Sequence, residues 1–163
     1  MNTAYISLGS NIGNREETLL KSIALLNEKA GTVIIVSSLY ETEPWKMNDV
    51  EGFINQAAEL TTKLSAEELM DTLLLIEQSL GRTRNLGKYE SRTIDLDILF
   101  YNNDILSTEK VKIPHPLLHE RRFVLEPLAE IAPKLIHPTF KKNITQLLLE
   151  CKDSYTVARM MSE

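Results

Sequence analysis

The sequence is poor in cysteine and has no long apolar run, and both absences narrow its class. Cys151 is the single cysteine among 163 residues, so the chain cannot form an internal disulfide framework and suits a reducing compartment. The longest aliphatic runs, 33–36 and 73–76, fall far short of the ~20 apolar residues that a membrane-spanning helix needs. The N-terminus lacks a basic segment followed by an apolar one, so we predict no secretory signal. We therefore expect a cytoplasmic protein without a membrane partner.

Basic charge and glycine-rich motifs are also scarce. The formal net charge is −5, and an acidic chain lacks the broad basic surface that nonspecific binding to nucleic acid requires. The six glycines form neither a phosphate-binding Gly-x-x-x-x-Gly-Lys-Ser/Thr loop nor a dinucleotide-binding Gly-x-Gly-x-x-Gly turn. We expect one domain over residues 1–163, a monomer, and no nucleic-acid partner.

Hydrophobic periodicity predicts a β-α-β-β-α-β order of elements. Asn14 and a capping box of Ser65 and Glu68 predict the starts of two helices, which end near residues 29 and 80. This order is typical of a ferredoxin-like α+β sandwich, with two helices on one face of a mainly antiparallel sheet. A C-terminal extension of short strands and helices is predicted to follow. The predicted strands cover 5–8, 32–40, 53–63 and a segment ending near 101, with short extended pieces at 104–106 and 111–113 and a late helix near 144–151.

Two aspartates stand inside an otherwise apolar strand, in the segment SRTIDLDILF at 91–100. Because strand side chains alternate between faces, Asp95 and Asp97 point one way and their aliphatic neighbours point the other. Two like charges on a buried face are costly unless a cation compensates them. The spacing predicts a site for divalent metal ions, which in two-metal sites lie about 3.5–4 Å apart. The alternative is a pair of solvated aspartates on an exposed sheet face.

A basic loop leads directly into this strand. Residues 82–92 carry four cations, Arg82, Arg84, Lys88 and Arg92. Guanidinium groups present a planar fork of donors that matches phosphate oxygens, and lysine adds a compact point charge. Cations for phosphate beside carboxylates for metal predict a metal–polyphosphate site. A solvated surface loop is the alternative for the cations taken alone.

Further blocks occur in a fixed order around these two segments. They are AYISLGSN at 4–11, SSLYET at 37–42, FIN at 53–55, GRTR at 81–84, RTIDLDI at 92–98, PHP at 114–116 and FVLEPLAEIAP at 123–133. In this order and at these separations they resemble the 6-hydroxymethyl-7,8-dihydropterin pyrophosphokinase family, over nearly the whole chain. The resemblance implies the ferredoxin-like fold and an enzyme of tetrahydrofolate biosynthesis. Its reaction would transfer the diphosphate of ATP to the 6-hydroxymethyl group of the reduced pterin, giving AMP and the pterin diphosphate.

The resemblance also implies roles for individual residues. Asp95 and Asp97 would hold two Mg²⁺ ions, with ATP as the co-substrate. The implied catalytic residues are Arg82, Arg92, Asp95 and Asp97. The implied ATP-binding residues are Glu77, Arg82, Arg84, Lys88, Tyr89, Arg92, Ile98, His115 and Arg121. The implied pterin-binding residues are Thr42, Glu43, Trp45, Phe53, Asn55, Asp95 and Phe123.

Two other functions compete with this interpretation. A noncatalytic ferredoxin-like module that binds a small anion would retain the ligand without forming AMP. It gives no reason for two aspartates on one strand face beside an arginine loop. A ferredoxin-like RNA-binding domain needs stacking aromatics on its central strands and a basic surface. The carboxylates and the acidic net charge argue against that class.

Overall fold

A computed structural model of the chain describes residues 1–11, 13–42, 52–81 and 94–160. None of the helices in these ranges has the length and apolar character needed to cross a membrane. The helices are α1 (Arg15–Lys29), α2 (Ala66–Ser79), α3 (Arg122–Ile131) and α4 (Ile144–Glu150), with a 3-10 turn at Leu118–Glu120. The strands are β1 (Asn2–Ser10), β2 (Thr32–Val36), β3 (Tyr40–Thr42), β4 (Ile54–Thr62), β5 (Ile94–Tyr101), β6 (Leu106–Ser107), β7 (Lys112–Ile113) and β8 (Val157–Arg159).

The first two helices begin where the sequence predicts. The Asn14 side chain accepts a hydrogen bond from the Glu17 amide at 3.0 Å and starts α1. The Ser65 hydroxyl accepts from the Glu68 amide, and the Glu68 carboxylate accepts from the Ser65 amide, so the predicted capping box starts α2. These side chains satisfy backbone donors that have no partner within the helix. The predicted positions of both helices are confirmed.

The main sheet has the strand order β5-β1-β4-β3-β8, with β2 also paired to β4. Every strand pair in the described ranges is antiparallel. The predicted α+β class with a mainly antiparallel sheet is confirmed. The order is compatible with a ferredoxin-like sandwich once β2 and β3 count as one interrupted strand. Strand β8 was not predicted from the sequence, and it lengthens the sheet beyond β3.

The single strand predicted over 32–40 is wrong, because the structure divides it into β2 and β3. Ser37 causes the break. Its hydroxyl accepts from the Ala57 amide at 2.9 Å, and its carbonyl accepts from the Gln56 side chain at 2.9 Å. Side-chain bonds of this kind replace regular ladder bonds and displace the strand.

Helices cover both faces of the sheet, and a separate hydrophobic core lies between the sheet and the helices on each face. The first core packs α1 and α2 on one face, with Leu8, Leu26, Leu73 and Leu96 fully buried. The second core packs α3 and α4 on the other face and is built from Ala57, Leu99, Phe100, Leu118, Val124, Leu125, Leu128, Ala132, Ile144 and Leu147. The predicted C-terminal extension is therefore the second outer layer of the domain. Its packing explains how this sheet can carry apolar residues on both faces.

A bulge in β5 changes which face its side chains meet. Tyr5 pairs with Phe100 and Ile6 pairs with Ile98, so Leu99 is an extra residue in the ladder. As a result Leu99 and Phe100 both enter the second core, while the aspartates that precede them lie on the same face outside it. Bulges of this kind re-aim side chains within one strand. The bulge separates a polar end of β5 from an apolar end.

The last turn of α3 is tied to β3 by hydrogen bonds. The Glu130 carboxylate accepts from the Tyr40 hydroxyl at 2.7 Å and from the Ser38 amide at 2.9 Å and hydroxyl at 3.1 Å. Burial raises the pKa of Glu130, but these donors outweigh it and hold the pKa below its usual value. Burial, with the bond to Glu130, raises the pKa of Tyr40 to about 12. The carboxylate form of Glu130 is therefore favoured in the folded chain.

We predict that Leu73→Ala destabilises the domain by about 2–5 kcal/mol, because it opens a cavity in the first core. Leu73 is 0% exposed, whereas Leu75 on the same helix is 62% exposed. Leu75→Ala is the matched control and should change the free energy of unfolding by less than about 0.5 kcal/mol. Urea denaturation measures both. Equal losses for the two variants would contradict the assignment of α2's buried face.

We predict that Tyr40→Phe destabilises the chain more at neutral pH than in acid. Because the pKa of Glu130 is lower in the folded chain, ionised Glu130 stabilises the fold at pH values above its ordinary pKa of 4.5. That stability is lost as the pH falls through the folded-state pKa. The difference in unfolding free energy between wild type and Tyr40→Phe should shrink below that pH in urea titrations. In a Glu130→Gln background the difference should not depend on pH over the same range; a gap that widens in acid would be inconsistent with the sign.

Candidate active site

A row of polar and small residues crosses the neighbouring strands β5, β1 and β4 near one end of β1. Gly9 of β1 pairs with Asp95 of β5 on one side and with Asn55 of β4 on the other. Two residues earlier in β1, Ser7 pairs with Asp97. Directly paired residues of neighbouring strands share a face, so these five residues lie together. They form the floor of the candidate site.

The predicted orientation of the two aspartates is confirmed. Asp95 and Asp97 are half-buried, whereas Ile94 and Leu96 are fully buried in the first core on the opposite face. Asp95 makes a further polar contact in the structure. The carboxylates thus occupy the face that α3 and α4 cover farther along the sheet.

Gly9 shapes this floor, and sequence reasoning missed it as a site residue. The first strand was predicted over 5–8, but β1 continues through Gly9 to Ser10. A Cβ atom built on Gly9 would lie 2.8 Å from Oδ1 of Asn55 and 3.6 Å from Cδ1 of Phe53. The absent side chain lets both groups approach the β1 backbone closely. The available signal was a glycine inside an alternating strand pattern, which marks such close approaches.

Three predicted pterin-binding residues are brought together around Asn55. Asn55 is 4% exposed, and its Nδ2 donates to Oγ1 of Thr42 at 3.1 Å. The Thr42 amide in turn donates to the Phe53 carbonyl at 3.0 Å. These bonds fix the orientation of the Asn55 amide, with its oxygen above Gly9.

Asp97 and Arg121 both lie close enough to His115 to influence the pKa of its ring. Burial lowers the pKa of His115, and Arg121 lowers it further, while Asp97 opposes both. The His115 amide donates to the Leu99 carbonyl at 3.0 Å, and His115 Nδ1 accepts from the Leu117 amide at 3.1 Å. In the neutral ring Nε2 then carries the proton and is a donor. The structure brings this predicted ATP-binding pair to the aspartate face.

Arg121 also contacts the predicted pterin-binding residue Phe123. Its guanidinium carbon lies 5.7 Å from the centroid of the Phe123 ring, within the range of a cation–π interaction. Both residues are half-buried at the start of α3. The start of this helix therefore brings a predicted ATP-binding residue into contact with a predicted pterin-binding residue.

A pocket of about 280 Å³ opens beside β5 and the β6–β7 hairpin. It contains the predicted residues Asp97, Ile98 and His115, and it adds Lys110 and Lys112. Lys110 also forms a 3.1 Å ion pair with Asp71. Sequence reasoning missed both lysines, although their alternate spacing before the PHP segment was a usable signal. Glu109 and Asp97 also line the pocket, so the two lysines and the histidine offer local positions for an anionic ligand without making the whole pocket cationic.

Glu77 is buried and supports β5 from the second helix. It is 3% exposed, and its Oε2 accepts from the Leu96 amide at 2.8 Å. This hydrogen bond anchors β5 at Leu96, the residue between the two aspartates. The predicted contact of Glu77 with nucleotide stays a prediction.

Several predicted site residues lie outside the described part of the chain. The predicted metal ligands Asp95 and Asp97 are within it, together with the residues discussed above. Those outside are Glu43, Trp45, Arg82, Arg84, Lys88, Tyr89 and Arg92.

The oxygen donors of Asp95 and Asp97 can be compared with the ligands that Mg²⁺ prefers. Within the described ranges, no cluster of three or more histidine, cysteine, aspartate or glutamate side chains could hold a metal. Mg²⁺ usually takes one or two protein carboxylates and completes its shell with water and substrate phosphates. Two carboxylates on one open face fit that coordination. The fold and this face are those of an α+β protein whose site suits an anionic, metal-associated ligand.

Comparison with known proteins identifies the family. The model of the 7,8-dihydro-6-hydroxymethylpterin-pyrophosphokinase (HPPK) family matches residues 5–133. The chain is 48% identical over 135 residues to the 2-amino-4-hydroxy-6-hydroxymethyldihydropteridine pyrophosphokinase of Bacillus subtilis, covering 82% of this chain and 80% of that protein. The Haemophilus influenzae protein of the same name is 39% identical over 154 residues, with 94% and 95% covered. The chain belongs to the HPPK family and is a pyrophosphokinase, a transferase of folate biosynthesis.

Solved structures agree on the fold. A crystal structure of Plasmodium falciparum HPPK-DHPS matches 91% of this chain with a TM-score of 0.71 at 17% identity. At that identity the likeness shows the fold alone. The present chain spans 44% of that protein, and it spans 18% of the folic acid synthesis protein fol1 of Pneumocystis carinii, to which it is 44% identical.

Proposed function

We propose that the chain transfers the β,γ-diphosphate of ATP to the hydroxymethyl oxygen of 6-hydroxymethyl-7,8-dihydropterin. In this reaction the hydroxyl oxygen forms a bond to the β-phosphorus and loses its proton. The bond from the β-phosphorus to the oxygen bridging it to the α-phosphorus breaks, and AMP leaves. The observation that carries the proposal is the row Asp95–Gly9–Asn55, which sets a carboxylate and an amide on either side of a bare backbone.

We assign Asp95 and Asp97 as the ligands of two Mg²⁺ ions. When bound, Mg²⁺ neutralises phosphate charge and polarises the phosphorus under attack. The aspartates themselves place negative charge on a half-buried face, where a cation offsets the cost of desolvation. Asp95 is also the aspartate nearer to Asn55 across the sheet, so it borders both substrate positions.

The triphosphate would lie along the cationic side of the site. His115, Lys110 and Lys112 line the pocket beside Asp97, and Arg121 lies near His115. Fixed cations stabilise charge that spreads over phosphate oxygens in the transition state. Ile98 lines the same pocket. We propose that Glu77 also contacts the nucleotide. We assign the same phosphate-binding role to Arg82, Arg84, Lys88 and Arg92, and a nucleotide contact to Tyr89.

The pterin would stack between Phe53 and Phe123. Aromatic faces orient a flat heteroaromatic ring and also bury it. The Asn55 oxygen would accept from the pterin edge, because the Asn55 amide nitrogen already donates to Thr42. We assign Glu43 and Trp45 to the same ring. A hydroxymethyl group held here would face the aspartate side of the floor.

We further propose a cytoplasmic monomer with one catalytic domain and no nucleic-acid or membrane partner. The net charge of −5 supports the exclusion of nucleic acid, because nonspecific binding needs a basic surface. Size-exclusion chromatography with light scattering measures the oligomeric state.

We predict that the purified chain with Mg²⁺, ATP and 6-hydroxymethyl-7,8-dihydropterin forms AMP, without ADP, only when the pterin is present. Asp97→Asn should lower the rate at least about 100-fold, because it removes one charged ligand from the reacting centre. Asp104→Asn, an exposed residue just past β5, is the matched control and should keep full activity. Full activity in folded Asp97→Asn would overturn the metal assignment. Nucleotide binding without AMP would favour the anion-binding module instead.

We predict that Gly9→Ala raises the KM for the pterin about tenfold, equivalent to about 1.4 kcal/mol. The new methyl group would displace the Asn55 amide, since a Cβ there lies 2.8 Å from its oxygen. The KM for ATP should change much less. In an Asn55→Ala background the amide is absent, so adding Gly9→Ala should cost little more. Additive effects in this double-mutant cycle would show that Gly9 acts elsewhere.

A further inference from the structure

We infer that Asp153 is a positioning residue for both substrates, acting through the first turn of α3. This inference rests on the proposed function, which places Arg121 on ATP and Phe123 on the pterin. Asp153 lies beyond residues 5–133, the range that matches the family. The C-terminal segment would therefore support the site without touching either substrate.

The first turn of α3 receives its cap from a distant part of the chain. Its flanking residue, Arg121, makes no capping side-chain hydrogen bond within the described ranges. Instead Oδ2 of Asp153 accepts from the Arg122 amide at 3.0 Å, across a separation of 31 residues. The other oxygen of Asp153 accepts from the Tyr155 amide at 2.9 Å. One carboxylate oxygen of Asp153 thus joins the C-terminal segment to the helix, and the other orders that segment locally.

The Arg122 side chain strengthens the same connection. Its Nε donates to the Asp153 carbonyl at 3.1 Å, and one terminal nitrogen donates to the Cys151 carbonyl at 3.1 Å. Its other terminal nitrogen lies 3.7 Å from Glu126, one turn along the helix. Arg122 and Asp153 therefore hold each other by backbone and side-chain bonds together.

This turn depends on an external cap more than most. The first amides of any helix lack partners within it. In α3 the residue at 127 is proline, which cannot donate to the Phe123 carbonyl four residues earlier. The turn therefore has one helical hydrogen bond fewer, and loss of the cap would let it fray.

Fraying would move both proposed substrate residues. Arg121 and Phe123 flank Arg122 in sequence, and the Arg121 guanidinium lies over the Phe123 ring. A displaced Arg121 would leave its position near His115. A displaced Phe123 would lose its place opposite Phe53. A role confined to folding would lower stability and leave both substrate affinities unchanged.

The test compares Asp153→Ala, Asp153→Asn and Asn143→Ala. Asparagine caps helices about as well as aspartate, so Asp153→Asn can keep the bond from the Arg122 amide through its one amide oxygen, while it loses the charge and the bond from Tyr155. Asn143 caps α4 by accepting from the Gln146 amide at 2.8 Å and is the matched control for loss of a cap away from the site. The measurements are kcat, the KM for each substrate, Tm, and pterin affinity in the presence of ATP with a methylene bridge between the α- and β-phosphorus.

We expect Asp153→Ala to raise the KM for ATP and for the pterin about fivefold each, the effect of a typical cap. Asp153→Asn should restore both values to within about twofold, and Asn143→Ala should lower Tm while leaving both unchanged. Wild-type KM values in Asp153→Ala would overturn the inference. So would equal increases in Asn143→Ala, or an Asp153→Asn variant as impaired as Asp153→Ala.

Amide hydrogen exchange separates this inference from the proposed function. Asp153→Ala should speed exchange at Arg122 and Phe123, and Asn143→Ala should not. If the wild type forms no pterin-dependent AMP, the proposed function fails, and unchanged exchange in Asp153→Ala would still overturn the capping role. If Asp153→Ala does not fold, Asp153→Ser, which has a shorter side chain with a single oxygen in place of two, serves for the same measurements.

Discussion

The antiparallel register of β1 between β5 and β4 is the constraint on which the site depends. It sets Gly9 opposite Asp95 on one side and opposite Asn55 on the other. A shift of one residue would turn each of these side chains to the opposite face. The aspartates would then enter the first core, where no described side chain offsets their charge. The hydrophobic burial of Ile94 and Leu96 and the polarity of the site therefore enforce the same register.

The second outer layer decides where the site is open. The bulge at Leu99 sends both Leu99 and Phe100 into the core beneath α3 and α4. The aspartates on the same strand face stay outside that core, at its border. Apolar packing thus ends where the carboxylates begin, and α3 starts at that border with Arg121 and Phe123. The same helix completes the core and carries two proposed substrate contacts.

Carboxylates hold α3 at both of its ends. Asp153 accepts from the amide of its first turn, and Glu130 in its last turn accepts from Ser38 and Tyr40 of the β2–β3 region. Apolar packing is not directional, so it does not by itself fix how far a helix slides along a sheet. Charge-assisted hydrogen bonds do supply that direction.

The sequence by itself determined the elements whose signals are local. The caps at Asn14 and Ser65, the alternation around Asp95 and Asp97, and the ordered family blocks needed no tertiary information, because each depends on neighbouring residues. Only the tertiary structure decided the break at Ser37, the strand β8 and the close approach of Asn55 to Gly9. It alone also joined Asp153 to α3. Each of these depends on a partner far along the chain, and the local pattern of a sequence carries no record of which distant residue supplies a hydrogen bond.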